Sequence, residues 1–169
     1  MGRIFTIVIL LFTMNANSQN LNKKIEDISR GKTVMINKCT RDALISFPDM
    51  KPQYDIEYPT YKPDSVTISR LIPLITEKKV TIVLGTWCGD SKLQVPRFIK
   101  LMDVLKVNEN DITFICVNGA KKAENGLIDN LNITNVPTFI LYEKEEELGR
   151  IIESPKTSLE NDLLLILEK

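Results

Sequence analysis

Val80-Thr81-Ile82-Val83-Leu84-Gly85-Thr86-Trp87-Cys88-Gly89-Asp90-Ser91-Lys92 is the stretch on which the reading of this chain turns. Its first five residues are an apolar, β-branched run with Lys78-Lys79 before it and Gly85 after it, which predicts a strand buried on both faces. After Ser91, the apolar residues Leu93, Val95, Phe98, Ile99, Met102 and Leu105 recur close to the stripe of an amphipathic helix, and Pro96 is expected to bend that helix. Cys88 therefore falls where a buried strand ends and a helix begins. A thiol there sits among backbone N–H groups without helical partners, at the positive end of the helix dipole. Such a setting favours the thiolate, the nucleophilic form of sulfur.

Outward from this stretch the same reading extends in both directions. Residues 112–117 predict a second strand, residues 120–131 have room for a short helix, and Pro137 precedes a third strand at 138–142. The acidic turn 143–147 leads to a fourth strand at 148–152, and Thr157 or Ser158 caps a last helix that docks Leu159, Leu163, Leu164, Ile166 and Leu167 on the sheet. Upstream, Asp64 or Ser65 caps a helix carrying Val66, Ile68, Leu71, Ile72 and Ile75, shortened or kinked by Pro73. Residues 47–64 hold Pro48, Pro52, Pro59 and Pro63 with three tyrosines between them, and this spacing predicts an extended connector rather than a helix. Residues 19–46 read as a small extension in which Cys39 lies outside the core. Strand, helix, strand, helix, hairpin, helix is an α/β layer structure.

Composition bounds the chemistry. The chain has 169 residues, enough for one domain with a real core. Lys plus Arg and Asp plus Glu are 22 each, so no net field draws it to nucleic acid or an anionic membrane. Histidine is absent, which excludes Ser-His and Cys-His pairs and every imidazole zinc site. The three cysteines, Cys39, Cys88 and Cys116, form no Cys-x-x-Cys pair, so neither a metal nor another cofactor is expected. At the amino terminus, Arg3 precedes a short apolar run at 4–14, and Ala16 and Ser18 stand at the −3 and −1 positions of a cut before Gln19. This is the layout of a secretory signal peptide, too short for a permanent span, and it predicts a periplasmic or secreted protein. The expected division is thus a signal at 1–18, an extension and connector at 19–60, and a folded domain at 61–169.

Trp87-Cys88-Gly89-Asp90-Ser91-Lys92, with Pro96 in the following helix, resembles the active-site turn of the thioredoxin family, and Asn135-Val136-Pro137-Thr138 resembles that family's cis-proline loop. The resemblance covers roughly residues 61–169. It implies a thioredoxin-like three-layer fold, with a central mixed sheet flanked by helices. It also implies Cys88 as nucleophile with Ser91 beside it, and a substrate groove formed by Trp87, Gly89, Asp90, Val136 and Pro137. Three positions depart from the family's pattern. Ser91 replaces the second cysteine, so no disulfide can close within the turn and the two-electron dithiol cycle is unavailable. Asp90 replaces a proline and puts a like charge near a thiolate, and Ile82 stands where thioredoxins carry a buried acid.

What remains is half of the cycle: an exported monothiol protein, a thiol-disulfide oxidoreductase with one active cysteine, in which Cys88 forms mixed disulfides. Its expected partners are disulfide-containing or glutathionylated exported proteins and an external thiol reductant. Cys39 is the candidate for resolving the mixed disulfide from within the chain, and Cys116 is expected to be a buried packing residue. The other reading is a redox-inactive module that holds a partner polypeptide in the groove by Trp87 and Pro137. A peroxiredoxin-type site is not supported, because no Pro-x-x-x-Thr-x-x-Cys pattern precedes Cys88.

Overall fold

The computed structural model describes residues 21–169, so the expected signal segment lies outside the described residues. Seven strands and five α-helices follow one another in the order β1 (Lys24–Asp27), β2 (Lys32–Met35), β3 (Asn37–Cys39), α1 (Arg41–Ile45), α2 (Lys51–Thr60), α3 (Ser65–Leu74), β4 (Lys78–Leu84), α4 (Gly89–Val104), β5 (Ile112–Cys116), β6 (Thr138–Glu143), β7 (Glu146–Ile152) and α5 (Leu159–Leu167). β1 and β2 form a separate antiparallel hairpin, while the other five strands make one mixed sheet in the order β3-β5-β4-β6-β7. β4 and β5 run parallel, and β3, β6 and β7 each run antiparallel to the neighbour they join.

β4 lies at the centre of the sheet, with Ile82, Val83 and Leu84 fully buried. Its alternate residues serve two cores. Ile82 is opposite Phe114 on one side and Phe139 on the other, and on that face Phe98 of α4 stacks on Phe139 with ring centroids 4.2 Å apart. α5 covers the same face beside Gly149, and α3 packs on α5. Val83 points the other way, into a smaller cluster with Ile115, Val117, Ile128 and Val136. That face is covered by residues 117–136, where the helix expected at 120–131 is replaced by two short 3-10 turns, Glu124–Gly126 and Asp129–Leu131. Asn125 and Asn132 adopt the left-handed conformation there, which a continuous right-handed helix cannot contain.

Two further expectations need correction. Residues 51–60 are the helix α2 rather than an extended connector: Pro52 falls in its first turn, where a missing N–H costs nothing, and Pro59 stands one residue from its end. The folded domain does not begin at residue 61, since β3 is a strand of the main sheet and Met35, Cys39, Leu44, Phe47 and Met50 are core residues. Pro96 lies inside α4, which runs without a break from Gly89 to Val104.

α2 docks on α4 through its tyrosines. Tyr54 and Tyr58 stack on each other at 5.0 Å, Tyr58 donates a hydrogen bond of 2.7 Å to Asp103, and Arg41 clamps the same carboxylate from α1. Burial alone would raise the Asp103 carboxyl, but the hydrogen bonds from Arg41 and Tyr58 outweigh it and hold the group below the usual carboxylate range. A carboxyl with a depressed folded pKa contributes stability above its unfolded value, and this contribution disappears as pH falls through the folded one. Unfolding free energy is therefore expected to decline below about pH 4. Asp103→Asn should flatten that acid limb in urea titrations, and an unchanged limb would assign it to other carboxyls.

Candidate functional site

β4 delivers the site. After Leu84 the chain passes through Gly85 and Thr86 to Trp87, and the Cys88 N–H bonds back to the Gly85 carbonyl at 2.9 Å, closing a turn from which α4 starts. Cys88 is the capping residue at the amino end of α4, with extended backbone (φ −84°, ψ 130°) and no side-chain cap of its own. Its sulfur is partly buried and donates a 3.2 Å hydrogen bond to the carbonyl of Val136. The Val136–Pro137 peptide bond is cis, and both residues are buried directly ahead of β6. The turn and the proline loop, 48 residues apart in sequence, thus meet at one end of the sheet.

Ser91 is brought close but turned away. It is fully buried, and its hydroxyl accepts from the Gly85 N–H at 3.3 Å, so it braces the turn rather than bonding to the Cys88 sulfur. Gly89 and Asp90 are exposed on the first turn of α4. Ile82 is fully buried among Phe114 and Phe139, so the position offers no proton carrier. Cys39 is not in an extension: it sits in β3, 7% exposed, with its sulfur 3.5 Å from that of Cys116. Its placement in the core against another thiol removes it as a resolving partner for Cys88. Cys116 is fully buried, as a packing residue should be.

Trp87 lies across the turn with its Nε1–H donating to the Val117 carbonyl at 3.0 Å. A side chain at Gly85 would have no room, because a Cβ there would come within 2.6 Å of the indole ring. Gly85→Ala is accordingly expected to push the indole off its seat and to cost about 1–3 kcal/mol. A shift of less than a few tenths of a kcal/mol in urea titrations would mean that the ring is free to move.

One component of the site was not foreseen. The β1–β2 hairpin carries Arg30 over the face of Trp87, with the guanidinium 3.8 Å from the ring centroid and a 3.2 Å bond from Arg30 to the Gly119 carbonyl. The opposite strand end holds the same loop through Asp27, whose carboxylate accepts from the Gly119 N–H and from Ser29. Those bonds keep the Asp27 carboxyl below its ordinary range. Beside the hairpin turn, Asp49 bridges Lys32 of β2 and Lys92 of α4, and at the hairpin base Lys23 and Asn37 both bind Glu124. The signal available in sequence was Lys24-Ile25-Glu26 and Thr33-Val34-Met35 flanking Ser29-Arg30-Gly31, a turn between two short strand-like runs.

A mixed five-stranded sheet flanked by helices, with a cysteine at the head of α4 and a cis-proline beside it, defines a thioredoxin-like fold. Among solved structures the chain is similar to a protein of unknown function from Pseudomonas aeruginosa at 15% identity and a TM-score of 0.59, covering 76% of this chain and 91% of that one. It is also similar to a scaffold bearing an HIV epitope, at 16% identity and a TM-score of 0.50, over 71% of this chain and 82% of that one. Thioredoxin O2 from Arabidopsis thaliana aligns at 22% identity with a TM-score of 0.35, over 52% of this chain and 71% of that one. At these identities the likeness to the first two structures is one of fold alone. No protein-family model and no curated protein matches the chain. Among the described residues there is no group of three acidic, cysteine or histidine side chains that could hold a metal, and no helix long and apolar enough to cross a membrane.

Proposed function

We propose that the chain is an exported monothiol protein of thiol-disulfide exchange, in which Cys88 is the nucleophile. The observation that carries the reading is the partly exposed Cys88 sulfur at the head of a 16-residue helix, 3.2 Å from the carbonyl that precedes the cis Pro137. Unpaired backbone N–H groups at the start of α4 stabilise negative charge developing on sulfur. An extended substrate segment laid along the Val136–Pro137 backbone would bring its own disulfide against that atom.

In the exchange step, the Cys88 thiolate bonds to one sulfur of a substrate disulfide or glutathione adduct. The other sulfur leaves as a thiolate and takes a proton from water. The substrate disulfide is the oxidant, with the Cys88 sulfur oxidised as the leaving sulfur is reduced, so no further redox reagent is needed at this stage. Release requires a second thiol to attack the mixed disulfide and return Cys88 to the thiolate, and with Ser91 turned to Gly85 and Cys39 buried, that thiol comes from outside the chain. Substrates of this kind are found where disulfides persist, which agrees with the export expected from residues 1–18.

The test is incubation with oxidised glutathione, followed by peptide mass mapping and then by addition of free thiol. A single glutathione on Cys88 that the added thiol removes supports exchange. If Cys88 takes up no glutathione while an unstructured cysteine peptide does, the groove by Trp87 and Pro137 serves only to hold a polypeptide.

A further inference from the structure

Outside this site the molecule holds a second pair of sulfur atoms. Cys39 of β3 is opposite Phe114 and Cys116 of β5 is opposite Asn37, so the two cysteines are diagonal neighbours on one face of an antiparallel pair. Their sulfurs are 3.5 Å apart inside the main core, where Cys39 is 7% exposed and Cys116 is fully buried. We propose that Cys39 and Cys116 form an intrachain disulfide that ties the edge strand β3 to β5, leaving Cys88 as the chain's one free thiol.

Three features favour a bond over simple packing. The sulfurs already touch, and a disulfide needs them closer by about 1.5 Å, a movement comparable to a small strand shift. β3 can make that shift: it has three residues and lies at the edge of the sheet, where its outer side is held by bonds to Asn22 rather than by a further strand. Two adjacent thiols also offer each other weak hydrogen bonds within apolar surroundings, so the pair loses little by exchanging S–H contacts for a covalent link. Burial and the neighbouring Cys39 raise the Cys116 thiol well above its ordinary value, which makes the folded, reduced pair slow to react. The bond therefore forms while β3 is still undocked.

The oxidant is a disulfide of low molecular weight or on a donor protein. The Cys39 thiolate bonds to one of its sulfurs and expels the other as a thiol, and the Cys116 thiolate then attacks the Cys39 sulfur and expels the second. The cysteine pair is oxidised by two electrons, the donor disulfide is reduced to two thiols, and those thiols carry the two protons. Cys88 takes no part, so this inference does not depend on the exchange reading.

The experiment refolds the full chain from the denatured, reduced state in a mixture of reduced and oxidised glutathione, then alkylates it in denaturant and digests it with trypsin. The expected result is a linked pair of peptides containing Cys39 and Cys116, lighter by two hydrogens than the reduced pair. Cys88 should be recovered alkylated or carrying glutathione. Reduction of the refolded protein should lower its melting temperature by circular dichroism by roughly 5–15 °C. Cys39→Ala should show neither the link nor the drop. Alkylation of both Cys39 and Cys116 after complete refolding, or a link that includes Cys88, would overturn the proposal, as would a reduction-dependent drop that persists in Cys39→Ala.

Discussion

Cys88→Ser is expected to abolish mixed-disulfide formation with oxidised glutathione altogether while leaving the fold intact. A serine oxygen cannot form the sulfur–sulfur bond on which exchange depends, and Ser91 beside it is already bonded to the Gly85 N–H. The replacement preserves the local structure for a simple reason: a hydroxyl at residue 88 can still donate to the Val136 carbonyl, which now accepts from sulfur. The change in unfolding free energy should stay within about 1 kcal/mol. The two readouts, adduct mass and urea midpoint, separate chemistry from folding. Full adduct formation by the variant would place the reaction on another cysteine and remove Cys88 from the mechanism.

The second large effect concerns the wall behind the site. Phe98 is fully buried on α4 and stacks on Phe139, whose backbone is in register with Ile82 at the centre of the sheet. This stack joins the helix that starts at Cys88 to the strand that follows Pro137. Phe98→Ala removes the ring and leaves a cavity that rigid neighbours cannot fill, at a cost of about 3–5 kcal/mol. Domains of this size are stable by about 5–15 kcal/mol, so the variant should melt roughly 10 °C lower. A loss below about 1 kcal/mol would show that α4 and β6 repack freely. Since the same contact spaces α4 from β6, glutathione uptake by Cys88 should fall in parallel with stability.

Much of this was legible because the decisive residues are local. The run from Val80 to Leu84, the turn around Cys88 and the apolar stripe of α4 are contiguous signals of strand period, chain reversal and helix period. Pro137 could be placed by likeness of its loop, and the helix start at Asp64 or Ser65 by capping chemistry, where the structure shows Asp64 as the cap through a 2.8 Å bond from the Thr67 N–H. The misses share a different origin. Pro52 and Pro59 suggested an interrupted segment, yet α2 tolerates them because they fall in its first and last turns, and its stability comes from Tyr58 and Glu57 meeting α4. Cys39 looked peripheral because β3 is only three residues long and gains its strand character from β5, 77 residues away in sequence. Arg30 was invisible as a site residue for the same reason: its position depends on Asp27 finding Gly119 across the fold.

The indole at residue 87 is the only one in the chain. Because it is bonded to Val117, covered by Arg30 and adjacent in sequence to Cys88, the tryptophan emission of the protein, excited where tyrosine does not absorb, is an optical report on the surroundings of one sulfur atom. Loading of that sulfur, or lifting of the cation above the ring, can be followed in real time without attaching a dye.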